Sequence, residues 1–205
     1  MFDILIKNAR IADGTGSPLY PGTIGISNGE IAYIGPETNL EGQKIIEAES
    51  RFVAAPGFID THCHEDFYLF YDSAVTPKLQ QGVTTIISGN CGCSAAPVRK
   101  PTFSMLKTYF SSSLHGISMP SDWDSFSNFQ DYLDAVNELE PGINAGFMIG
   151  HGTIRIAAMG FANRHADKIE IAAMEQMIAE AMESGALGLS SGLFYAPGVF
   201  ASKDE

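Results

Sequence analysis

The spacing of apolar residues changes character near Pro56. Ahead of it, Ile4, Ile6 and Ile11 lie in extended stretches, and the segment DGTGSPLYPG is dense in turn-forming residues. GISNGEIAYIG then sets Asn28-Gly29 between two apolar runs, the strongest short-range signal for a β-hairpin. Residues 1–55 therefore predict a small all-β domain, closed by KIIEAESRFVAAPG. Beyond Pro56 short apolar runs alternate with helical periodicity. Phe58–Thr61, Val83–Ser88, Asn144–Ile149 and Leu187–Ser190 read as buried strands. In SFSNFQDYLDAVNELEPG, Phe126, Phe129, Leu133 and Val136 fall on one stripe, a serine stands near the start, and Pro141-Gly142 ends the helix. A second helix is predicted from Asp167 to Glu183, with Gly185 placed to terminate it. Strand, helix, strand, helix implies parallel pairing through right-handed crossovers, which makes residues 56–205 an α/β domain. Residues 96–120, rich in Ser, Pro, Met and Phe, interrupt it as a long insert of the kind that forms a lid or interface loop.

The first strand of this domain runs straight into two histidines, in GFIDTHCHED. Strand side chains alternate, so His62 and His64 share one face while Thr61 and Cys63 take the other. Ligands bind parallel sheets at the carboxyl ends of the strands, and two imidazoles converging there suggest a divalent metal. Glu65 and Asp66 follow, either supporting a ligand histidine as acceptors or solvating the loop. The second strand stops at GNCGC, where glycines flank Cys91. Cys91 and Cys93 lack the spacing of a zinc knuckle, and an inert buried thiol is the alternative for either. Cys63, on the opposite face, reads as a core residue. A thiolate and two imidazoles at adjacent strand ends suit zinc. The third strand ends in IGHGTIR, with His151 at the same rim as a substrate-binding residue or as a histidine satisfied by a backbone carbonyl. The fourth leads through GLSSGLFYAPG to Tyr195, which either caps a loop or hydrogen-bonds a substrate carboxylate.

Charge and cysteine usage narrow the partners. With 24 acidic against 12 basic residues the formal net charge is −12, which argues against nucleic acid and against an anionic membrane surface. No apolar run approaches the roughly 18 residues of a spanning helix. MFDILIKNARIAD reads as a strand rather than as a secretory leader. Cys63, Cys91 and Cys93 make no secreted-type disulfide framework, so a reducing cytoplasm is the expected setting.

Taken in order, DILIKNARIADGTGSP, APGFIDTHCHED, QGVTTIISGNCG, GHGTIR and GALGLSSGLFYAPG resemble the N-acyl-D-amino-acid deacylases (D-aminoacylases) of the amidohydrolase superfamily. APGFIDTHCH alone would match the wider superfamily, dihydroorotases and hydantoinases included; GNCG narrows the match, because the deacylases use a cysteine metal ligand at the second strand. The resemblance implies a (β/α)8 TIM barrel, with a β-sandwich built from segments at both chain ends. This chain would carry about the first four barrel strands after a small N-terminal β-sandwich subdomain. It further implies His62, His64 and Cys91 as ligands of one or two zinc ions and Tyr195 as a contact for the substrate carboxylate. The implied chemistry is zinc-dependent hydrolysis of the amide of an N-acyl-D-amino acid.

Two departures stand out. Cys93 occupies a position that is more often bulky and apolar in the family. The larger one is length, because a (β/α)8 barrel typically needs about 250 residues on its own. The family's remaining metal histidines and its catalytic aspartate would lie beyond Glu205, so the chain is expected to be an N-terminal portion that is inactive alone and needs the missing half or self-association. A cyclic-amide hydrolase of the dihydroorotase or hydantoinase kind is a weaker alternative, because the fourth strand, LGLSSGL, lacks the lysine those enzymes carboxylate. A non-catalytic half-barrel serving as a binding or oligomerisation module is the alternative from another class.

Overall fold

The computed structural model describes residues 1–111 and 119–205, which fall into two compact units, Met1–Gly57 and Phe58–Glu205. The first unit contains β1 (Phe2–Ile11), β2 (Tyr20–Ser27), β3 (Glu30–Gly35), β4 (Gly42–Glu47) and β5 (Val53–Ala54). They form one mixed sheet in the order β3-β2-β1-β4, with β5 also on β1. β1 runs antiparallel to β2 and parallel to β4 and β5. At the β2–β3 hairpin both Asn28 (φ 54°) and Gly29 (φ 78°) take the left-handed conformation. That is the geometry of a type I′ turn, whose twist matches the flanking strands. Ala9, Ile11, Ile24 and Ala48 form the buried cluster of this unit.

The second unit is α/β. Its elements are β6 (Phe58–Asp60), α1 (Tyr68–Tyr71), α2 (Thr76–Leu79), β7 (Val83–Ser88), α3 (Phe103–Ser111), α4 (Phe129–Glu138), β8 (Asn144–Phe147), β9 (Ile149–Gly150), α5 (His151–Met159), α6 (Lys168–Glu183) and β10 (Leu189–Ser190). β6, β7 and β8 pair in parallel, and β9 pairs in parallel with β10. The third predicted strand is thus split at Met148. Its N–H still donates to Ser88 O (3.0 Å), whereas the Ile149 N–H already donates to Gly188 O (2.9 Å). The chain changes hydrogen-bonding partner at that residue, which no local pattern announces.

The helices follow their caps. α6 begins after Asp167, whose carboxylate accepts from the Ile169 and Glu170 N–H groups, and Gly185 follows its end at φ 106°. α4 starts later than its apolar stripe suggested. Asn128, not a serine, is the cap: its Oδ1 accepts from Asp131 N–H (2.9 Å) while Asp131 Oδ2 accepts from Asn128 N–H (3.1 Å). Phe126 precedes the helix, and Phe129, Tyr132 and Val136 are its buried residues. Asn128→Ala is expected to lower unfolding stability by about 1 kcal/mol, and Ser127→Ala by less than about 0.5 kcal/mol, in urea titrations.

The insert contributes to the core. Leu106, Tyr109 and Phe110 of α3 are buried, and the rings of Phe67, Phe103 and Phe110 meet Trp123 at 4.6–5.5 Å in edge-on geometry. The Trp123 indole N–H donates to Ala95 O (2.7 Å). Residues 112–118 of the insert lie outside the described residues.

Candidate metal centre

β6 ends at Asp60, but its pairing to β7 continues through the Cys63 N–H, which donates to Ile87 O (3.3 Å). The alternation of the strand therefore persists into the histidine segment. Cys63 turns inward, 4% exposed, with Sγ 3.3 Å from both Ile87 O and Ser88 Oγ. Burial pushes its thiol up to about 12, so it stays neutral. His62 and His64 turn the other way, and their ring centroids lie 5.8 Å apart.

Cys91 comes from the turn after β7. It has φ +56°, a left-handed conformation that costs a non-glycine residue roughly 1–2 kcal/mol. Hydrogen bonds hold the turn in that shape. Asn90 Nδ2 donates to Ile87 O (2.8 Å) and Cys63 O (3.3 Å), and the Gly92 N–H donates to Ser190 Oγ (2.9 Å). The Tyr195 hydroxyl donates to Cys91 O. Gly89 opens the turn at φ +81°, and a Cβ there would sit 2.1 Å from Met148 O, so no other residue fits.

The result is a convergence of three donors. His62 Nε2 is 3.1 Å from Cys91 Sγ, and one ligand atom from each of His62, His64 and Cys91 lies within 4.8 Å of the other two. Tetrahedral zinc with bonds of about 2.0–2.3 Å separates its ligand atoms by about 3.3–3.6 Å. Small side-chain adjustments bring this trio to that spacing, and two imidazoles with one thiolate are zinc-compatible donors. The residues present fit the ion.

Around the trio the remaining candidates divide. A cavity of about 430 Å³ is lined by His64, Cys91, Cys93, Thr108, Tyr109, Phe161, Tyr195 and Ala196. Tyr195 therefore stands beside two of the three donors, its hydroxyl turned to the Cys91 carbonyl. Burial raises the Cys93 thiol to about 11 and keeps it neutral in the cavity wall. His151 is not among the residues that line this cavity. It opens α5, which takes its imidazole out of strand alternation. Its Nε2 lies 3.1 Å from Glu205 Oε1, so its partner is a carboxylate and not the backbone carbonyl expected as the alternative. Asp66 also departs from expectation: it does not solvate a loop but is 2% exposed, accepting from Gly89 N–H (3.3 Å), and burial raises its carboxyl to about 7.

Sequence reading overlooked a trio beneath the histidines. Asp60 Oδ1 accepts from the His62 N–H (3.2 Å), and Glu65 Oε2 accepts from the His64 N–H (2.9 Å). The Lys78 ammonium donates to Asp60 Oδ2 and lies 3.2 Å from Glu65 Oε1. Its hydrogen bond is the main reason the Asp60 carboxyl is held below the usual range. The flanking acids were visible in the sequence; their link to a lysine 18 residues from Asp60 was not.

No family model matches the chain. A D-aminoacylase of Alcaligenes xylosoxydans xylosoxydans is 37% identical over 212 residues, covering 100% of this chain and 40% of the relative. The crystal structure of a D-aminoacylase that defines a novel subset of amidohydrolases aligns with a TM-score of 0.85 at 35% identity, covering 100% of this chain and 41% of that one. An N-acyl-D-glutamate deacylase from Bordetella bronchiseptica, complexed with zinc and a phosphonate mimic of the tetrahedral intermediate, aligns with a TM-score of 0.83 at 33% identity, covering 98% of this chain and 40% of that one. The chain thus spans about two fifths of the length of these relatives. Over essentially its whole length it is similar to D-aminoacylases and to N-acyl-D-aspartate and N-acyl-D-glutamate deacylases.

Proposed function

We propose that His62, His64 and Cys91 hold zinc and that the protein carrying them hydrolyses the amide bond of N-acyl-D-amino acids, releasing a carboxylate and a D-amino acid. The observation that carries this reading is the 3.1 Å approach of His62 Nε2 to Cys91 Sγ with His64 alongside, beside an open cavity. Zinc in such a site supplies Lewis acidity towards an amide carbonyl and activates water near neutral pH. The chain's own residues supply placement. Asp60 and Glu65 hold the two histidine backbones, while Asn90, Ser190 and Tyr195 hold the Cys91 turn. Tyr109 and Phe161 contribute aromatic side chains to the cavity wall. Tyr195, at the cavity edge, is the contact proposed for the substrate carboxylate, exchanging its bond to the Cys91 carbonyl for one to the ligand. His151, whose Nε2 lies against Glu205 Oε1, is the second candidate contact for the substrate in the same proposal.

The domain division at residues 55/56, a β-sandwich that includes the first unit's sheet, and a (β/α)8 barrel begun by β6 to β10 are parts of the same proposal. Phe58 and Ile59 on β6 and Leu189 on β10 are 65%, 63% and 48% exposed. Apolar strand residues so open favour pairing with a further portion of barrel, supplied by the rest of the protein or by self-association. Among the described residues no helix is long and apolar enough to cross a membrane. Three free cysteines suit a reducing cytoplasm.

The test is a release assay with matched N-acyl-D- and N-acyl-L-amino acids. It compares the zinc-loaded chain alone with the chain fused to the complementary portion of the Alcaligenes relative. Release of D-amino acids only, by the fusion only and lost to chelator, is expected. Hydrolysis of L-substrates, or robust turnover by the chain alone, would overturn the reading.

A further inference from the structure

We propose that Lys78 is a positioning residue for the metal histidines, acting through Asp60 and Glu65 as a clamp beneath them; this rests on the zinc reading above. Each of the two carboxylates uses one oxygen for a histidine backbone and the other for the lysine. Asp60 Oδ1 takes the His62 N–H (3.2 Å) while Oδ2 takes Lys78. Glu65 Oε2 takes the His64 N–H (2.9 Å) while Oε1 lies 3.2 Å from Lys78 Nζ. One ammonium therefore ties together the acceptors on both sides of the His-x-His segment. The side chains are 19–28% exposed, so water screens the group less than it does a surface pair.

The delivery of Lys78 is itself determined. It lies on α2, which follows Val75, a buried β-branched residue at φ +47°. Such a residue rarely adopts that conformation. Asp72 holds the turn: its carboxylate accepts from the Ala74 N–H (3.2 Å) and the Thr76 N–H (2.7 Å), and its carbonyl from the Val75 N–H (2.9 Å). Pro77 adds a fixed φ in the first turn. A strained, capped turn ahead of the lysine aims its ammonium at the pair of acids.

Two effects of losing the lysine oppose each other, and their signs differ. Removing a positive charge near the donors would by itself tighten cation binding. Releasing two carboxylates that repel each other frees the backbones of both histidines and loosens the preformed geometry, which weakens binding. On the clamp the second effect wins.

The experiment measures zinc affinity of the 205-residue chain by competition with a chromophoric chelator, together with the visible spectrum of its cobalt(II) form. Lys78→Met is expected to lower affinity about 10–100-fold, the range seen when support of a metal ligand is lost. It should also change the ligand-field bands while keeping the thiolate-to-cobalt charge-transfer band of Cys91. Lys78→Arg, which can still bridge two carboxylates, should restore both affinity and ligand-field bands. Unchanged or tighter zinc binding by Lys78→Met overturns the clamp while leaving the zinc reading intact. Absence of zinc binding by the unsubstituted chain overturns both. Should Lys78→Met unfold the metal-free chain, Glu65→Gln carries the same test with the Lys78–Asp60 pair in place: weaker binding is expected, and unchanged binding overturns the proposal.

Discussion

Replacing Cys91 by alanine is expected to lower the zinc affinity of the chain by at least about 100-fold, read by chelator competition at fixed pH. Losing the support of a ligand already costs 10–100-fold, so losing a ligand itself lies at or beyond the upper end. Its sulfur is the one group of the trio that could bind the ion as an anion, and the residue is held at φ +56° with its carbonyl accepting from the Tyr195 hydroxyl, a bond that survives the substitution because it involves only backbone. The turn should keep its shape and only the sulfur should be missing. Cys93→Ala provides the contrast. Its thiol is buried, neutral and turned towards Cys91 O (3.8 Å), so affinity should change by no more than a few-fold. Equal losses for the two variants would mean that the turn, not the Cys91 sulfur, determines binding.

The second large effect concerns Arg155, which is fully buried. Its Nε donates to Glu205 Oε1 (2.7 Å), and its other guanidinium nitrogens donate to Ala162 O (3.4 Å) and Arg164 O (2.6 Å). The Glu205 side chain is equally buried and also lies against His151. Arg155→Met should destabilise the fold by about 3–5 kcal/mol, because it strands a carboxylate away from water. Removing both charges, as Arg155→Met with Glu205→Met, should recover a large share of that loss, since the desolvation cost then disappears with the charges. Denaturant unfolding of Arg155→Met, Glu205→Met and the double variant measures the cycle. A single-variant loss under about 1 kcal/mol would show that water reaches the pair.

How much of this was legible depends on how local each signal is. The Asn28-Gly29 hairpin, strand β7 and the limits of α6 follow from turn chemistry and caps within a few residues, and the structure matches them. So does the facing of His62 and His64 against Cys63, because alternation is a property of the strand alone. The break at Met148 was illegible: it records a switch of partner between β7 and β10, set by chain far away in sequence. Asp66 looked solvated because acidic residues usually are, yet the packing of distant Tyr132, whose hydroxyl donates to Asp66 O (3.0 Å), buries it. His151 does follow directly on β9, at the carboxyl end where its strand pattern put it; its carboxylate partner, Glu205, 54 residues on, was not legible. The Lys78 clamp depends on a strained turn at Val75 that no apolar pattern encodes.

The whole account depends on three side chains sharing a single ion. X-ray absorption at the zinc edge of the loaded 205-residue chain examines that directly. One sulfur scatterer at about 2.3 Å with imidazole nitrogens at about 2.0–2.1 Å, the sulfur shell vanishing in Cys91→Ala, is the outcome predicted. A first shell of oxygen and nitrogen only in the unsubstituted chain would contradict it.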